Sequence, residues 1–209
     1  MRKTIQIFAS ASAAALALSA SAAHADCTTA NNLLVNCGFE SGDFTGWSLS
    51  GNNVPGQEGN LYGVEGIDPF NNIAPNSGSF QAFIGDLVSN STTLAQTFST
   101  TATATYLISF YLAQDTPPST GEGANRVTVS FAGATVGTLN NVGVEDYTMY
   151  SFMATTNSLD TTFSITLGNG LGYFELDDVS VTQVPEPASL GLVGIALAGA
   201  LAASRRRKA

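Results

Sequence analysis

The chain has 209 residues, 16 Asp and Glu against 7 Lys and Arg, one histidine, and a sequence pI near 4.2. All sixteen acids lie between Asp26 and Glu186, where Arg126 is the sole base. Nucleic acids and anionic membrane surfaces both require a positive patch, so this balance excludes them as partners.

Residues 1–25 read as a secretory signal: Arg2 and Lys3, an Ala/Leu-rich apolar stretch, and a small-x-small site at Ala23-His24-Ala25. Cleavage there removes the only histidine. Cys27 and Cys37 follow in an exported chain, so the spacing predicts an oxidised pair closing a short loop; two thiols without histidine cannot build a zinc site.

Residues 26–183 form the body. In chain order, 32–51 ("NLLVNCGFESGDFTGWSLSG") is expected to hold the first strand and its exit. Leu34 and Phe39 alternate inward, Trp47 plugs the core, and Gly38, Gly42 and Gly46 permit tight corners. Clear period-two alternation then appears at 105–113, 126–133, 147–154, 161–168 and 173–182, rich in β-branched and aromatic residues. The intervening stretches "SGNNVPGQEGN", "DPFNNIAPNSG" and "DTPPSTGEG" are turns and longer loops. Nine or ten such strands, with no amphipathic helix and no fixed repeat, predict an all-β fold: a two-sheet antiparallel jelly-roll sandwich.

Residues 184–209 differ in character. Pro185-Glu186-Pro187 precedes an uncharged Ala/Leu/Gly/Val/Ile run at 188–204, just long enough for a transmembrane helix, and Arg205, Arg206, Arg207 and Lys208 close the chain. This order resembles the PEP-CTERM sorting signal of Gram-negative bacteria. The resemblance implies an exported protein held at the inner membrane, handled by an exosortase-type processing enzyme and delivered to the cell surface or matrix. A plain C-terminal anchor is the alternative.

The body carries a second resemblance. "NLLVNCGFESGDFTGWSLSG", "PNSGSFQAFIG", "LAQTFSTTATATYLISFYLA" and "YFELDDVSVT" are similar to galactose-binding-like jelly rolls, in particular carbohydrate-binding modules of the family 4/9 kind. That likeness implies a structural calcium joining the first and last strands, held by Gly38, Glu40 and Asp177 or Asp178, with carbonyls lent by residues 76–79. Cys37 departs from the family pattern at this turn. Calcium takes six to eight oxygens, and an acidic body short of bases suits it.

No catalytic residues are assigned: with His24 removed no Ser-His-Asp or Cys-His set can form, and the body has no lysine. Sixteen acids make some carboxylate pair inevitable, so a glycosidase reading gains little from their presence. Sugar binding requires exposed rings beside polar groups; Tyr62 and Phe70 are the loop candidates, then Tyr147 beside Glu145 and Asp146, with Asn71, Asn72 and Gln57 as amides. The expectation is an exported, non-catalytic module associated with extracellular polysaccharide. The alternatives are a purely structural acidic matrix protein and a carboxylate-based hydrolase.

Overall fold

The computed structural model describes residues 29–51, 61–86, 88–114, 116–117, 120–121 and 124–185. The signal peptide, Cys27, Gln57, Glu186, Pro187, the apolar run 188–204 and the basic terminus lie outside the described residues. Among the described residues no helix is long and apolar enough to cross a membrane.

Among the described residues, ten strands build two antiparallel five-stranded sheets. They are β1 (Ser48–Gly51), β2 (Tyr62–Glu65), β3 (Gln81–Ile84), β4 (Thr92–Ser99), β5 (Thr105–Gln114), β6 (Asn125–Phe131), β7 (Ala134–Asn140), β8 (Glu145–Thr155), β9 (Asp160–Asn169) and β10 (Phe174–Gln183). One sheet runs β1-β4-β9-β6-β7 and the other β2-β3-β10-β5-β8, an arrangement consistent with a jelly-roll sandwich. A single 3-10 turn at Val88–Asn90 separates β3 from β4.

The alternation seen in the sequence decides which side chains meet between the sheets. On β5, Tyr106, Ile108, Phe110 and Leu112 are fully buried in the core while Leu107 on the other face is exposed. They face Val127, Val129, Phe131, Phe163, Ile165 and Leu167 of β6 and β9, so one apolar layer is shared by both sheets. Trp47 is 7% exposed, stacks on Phe39 at 5.8 Å and meets Phe163 edge-on at 6.3 Å. Its indole N–H donates to the Asn36 carbonyl at 3.0 Å, which satisfies the ring's polar atom inside the core.

Residues 32–39 depart from the expected strand. They run beside β10 without joining the ladder, tied by the Leu33 N–H to the Val181 carbonyl and the Val179 N–H to the Cys37 carbonyl, each 2.9 Å. The Asn32 side chain adds two more bonds to the same stretch of β10. Asn36 and Phe39 adopt positive φ, and a strand cannot continue through them. Gly42 and Gly46 take the left-handed corners as expected, whereas Gly38 does not.

Candidate functional site

The outer face of the β2-β3-β10-β5-β8 sheet carries the unusual chemistry. On β10, Phe174 and Leu176 belong to the core, so Glu175 and Asp177 point to the opposite face; yet they are only 1% and 0% exposed. Register places Glu175 beside Phe83, and Leu176 beside Ala82. Glu65 pairs with Gln81 across β2 and β3, on the same outer face.

Tyr147 of β8 reaches across this face to β3. Its hydroxyl donates to Gln81 Oε1 at 2.7 Å, and the Gln81 amide donates in turn to the Ile73 carbonyl at 3.2 Å. Burial, followed by the charges of Asp177, Glu175, Asp178 and Glu65, pushes the phenol well above its ordinary range, so it stays protonated and donating.

A pocket of about 110 Å³ opens beside this bridge, lined by Glu65, Asp68, Phe70, Phe83, Tyr173 and Glu175. Two of its rings sit on glycines. A Cβ at Gly63 would lie 2.6 Å from the Phe83 ring, and one at Gly85 would lie 2.5 Å from the Tyr173 ring. Only a bare backbone lets those rings settle there. They meet edge to face at 5.6 Å. Phe70 is presented from a loop closed by the Asp68 carboxylate, which accepts the Phe70 N–H at 2.7 Å and the Asn71 N–H at 3.1 Å. That loop leaves the Phe70 ring 85% exposed. Burial raises the Glu65 carboxyl, the Asp68 charge adds to the rise, and a hydrogen bond with Gln81 opposes it.

The residues expected to hold calcium are brought together. A bulge interrupts the pairing of β10 with β5 between Asp177 and Ser180, and Asp178 takes φ +49°. The bulge turns two successive acids toward one loop, which simple alternation would have sent to opposite faces. The Ser77 N–H donates to Asp177 at 3.0 Å, while the Ser77 hydroxyl and the Asn76 amide donate to Asp178 at 2.8 and 2.7 Å. Glu40 reaches the same loop and accepts the N–H groups of Ser79 and Phe80. Burial pushes the Asp177 carboxyl up to about 7; Asp178 and Glu40 add to the rise, and the N–H groups of Ser77 and Asp178 pull against it.

The donor class of this cluster suits a hard cation, but the side chains alone do not form a cage. Among the described residues, no three Asp, Glu, Cys or His side chains make a metal-holding group. A calcium ion here would therefore depend on backbone carbonyls as well as on Glu40 and one of Asp177 and Asp178.

Of the sequence-based ring candidates, Phe70 reaches the pocket and Tyr62 does not. Tyr62 is half-buried against the core and tilts toward Phe44 at 6.2 Å. Phe83, Tyr173, Glu65 and Glu175 are not distinguished by the sequence, because alternation alone marks Phe83 and Glu175 as ordinary strand positions. The glycines at 63 and 85 were the available signal.

A family model described as the PEP-CTERM protein-sorting motif matches residues 183–207. The chain carries a PEP-CTERM sorting motif. The motif marks an exported protein sorted through the membrane, and Pro185 stands exposed just after β10 at its start. No curated protein matches the chain. Among solved structures, the carbohydrate-binding module TmCBM61, in complex with β-1,4-galactotriose, aligns with a TM-score of 0.51 at 18% identity, over 73% of this chain and 99% of that one. A family 16 carbohydrate-binding module aligns at 0.50 and 16% identity, over 72% and 99%. The enzymatically active domain of tailspike protein 4 from bacteriophage CBA120 aligns at 0.53 and 13% identity, over 74% of this chain but 22% of that one. At these identities the likeness shows the fold: the PEP-CTERM chain has the jelly-roll fold of carbohydrate-binding modules.

Proposed function

We propose that this is an exported, non-catalytic glycan-binding module, delivered by its PEP-CTERM tail to the cell surface or extracellular matrix of a Gram-negative bacterium. The observation that carries the binding reading is the pocket on the outer sheet face, where Phe70 and Phe83 stand beside the Glu65 and Glu175 carboxylates. Sugars stack their apolar faces on rings and hydrogen-bond their hydroxyls to planar polar groups, and this lining offers both. The modular jelly rolls that align over 99% of their own length support the reading.

In this reading the tail is the substrate of an exosortase-type enzyme, with residues 188–204 as the membrane helix and Arg205–Lys208 on the cytoplasmic side. Cys27 and Cys37 form a disulfide that ties the mature N-terminus to the wholly buried Cys37. Glu40 and Asp177 or Asp178 hold a structural calcium with the Gly38 carbonyl and carbonyls of the 76–79 segment.

Retention on immobilised polysaccharides by affinity electrophoresis tests the binding reading. Retardation lost in Phe70→Ala, with an unchanged melt, is expected; the absence of retardation on every glycan would leave the purely structural reading in its place.

A further inference from the structure

The chemistry of the pocket lining goes further than the glycan-binding reading. Its lining includes three acids, Glu65, Asp68 and Glu175, whose carboxylates only accept hydrogen bonds when ionised, beside the rings of Phe70, Phe83 and Tyr173. Among the described residues the only base, Arg126, is on β6 in the opposite sheet, so none of them brings a positive side chain to this face. The Asp68 carboxylate accepts the N–H groups of its own loop, and Glu175, 1% exposed, forms part of the pocket wall.

Size and walls narrow the ligand. About 110 Å³ is well below the ~300 Å³ at which pockets begin to enclose whole small molecules, so the cavity admits one protruding substituent and leaves the rest of the ligand over Phe70. A hard divalent ion would want six to eight oxygens in place of ring faces. Aromatic faces beside carboxylates suit an organic ammonium, drawn both by charge and by the ring quadrupoles.

We propose, resting on the glycan-binding reading above, that the pocket selects a sugar bearing a free amine: the ammonium of a hexosamine residue enters between Phe83, Tyr173, Glu65 and Glu175, and its pyranose ring lies on Phe70. Acetylation of that amine removes the charge and adds bulk, so the N-acetylated sugar is rejected. The natural ligand class is then a partly or fully deacetylated amino-sugar polymer.

Calorimetric titration of the full-length protein with a β-1,4-linked glucosamine oligosaccharide, its N-acetylated counterpart and a neutral gluco-oligosaccharide tests this. The amine form should bind at least about tenfold more tightly than either of the others, and Glu65→Gln should erase about that factor. If Glu65→Gln fails to fold, judged by its melt, Phe70→Ala on the exposed rim should weaken the amine sugar instead. Equal affinity for amine and N-acetylated sugars, or a preference for the neutral one, would overturn the amine assignment while leaving glycan binding standing. Binding of no saccharide would overturn both. A lysine-rich peptide binding as tightly as the amino sugar would overturn the sugar and leave only an ammonium site.

Discussion

The Tyr147 hydroxyl on β8 donates to Gln81 on β3, across the two strands that lie between them in the sheet. Gln81 is fully buried, so this bond satisfies an amide oxygen that water does not reach. Tyr147→Phe should therefore cost about 1–3 kcal/mol, the penalty for orphaning a buried acceptor, seen as a lower midpoint in urea with unchanged m.

Asp177 makes stability depend on pH. Its folded pKa, about 7, lies above the ordinary 3.8, so between those values the folded state binds more protons than the unfolded one. Stability then falls as pH rises from about 4 to about 7, and this contribution is fully lost above the folded pKa. The melting temperature in chelator should drop across that window. Asp177→Asn should flatten the slope, and an equally steep slope in that variant would assign the effect elsewhere.

The proposed calcium acts on the same group in the opposite sense. A cation held by Glu40 and Asp177 or Asp178 favours the ionised carboxyls, so added calcium should raise the melting temperature most near pH 7 and above. Glu40→Ala should abolish that rise. An identical melt in excess chelator and in millimolar calcium would remove the metal.

A Cβ added at Gly63 would lie 2.6 Å from the Phe83 ring, closer than a Cβ can come. Gly63→Ala should force the half-buried ring aside at a cost of about 1–3 kcal/mol. Ligand retention should fall by more than the loss in stability explains, because the pocket loses a wall. Crystallography of the variant would show the displaced ring.

Trp47 fills the junction of residues 36–47 with the core. Trp47→Ala should cost about 3–5 kcal/mol, both for the cavity and for the Asn36 carbonyl left without its indole donor. Thermal unfolding of the variant checks this, and a loss below 1 kcal/mol would show that the corner collapses onto the gap.

The sequence by itself determined the two-layer β body, because burying one face of a strand demands alternation and that alternation is written in residues 105–113, 126–133, 147–154, 161–168 and 173–182. It also fixed the sorting tail, whose Pro-Glu-Pro, apolar run and basic end are recognised as linear text. Trp47 as a core residue was legible too, since a lone tryptophan after a glycine turn has more to gain from burial than from exposure. What the tertiary structure alone decided depends on departures from regularity and on distant partners. The bulge after Asp177 turns both acids to one loop, and the Asp68 turn exposes Phe70 while Tyr62 packs inward. The register sets Phe83 beside Glu175, and Tyr147 reaches across the sheet to Gln81. Local preference governs elements, whereas a pocket forms where residues about a hundred positions apart are brought side by side, and only the folded chain specifies that meeting.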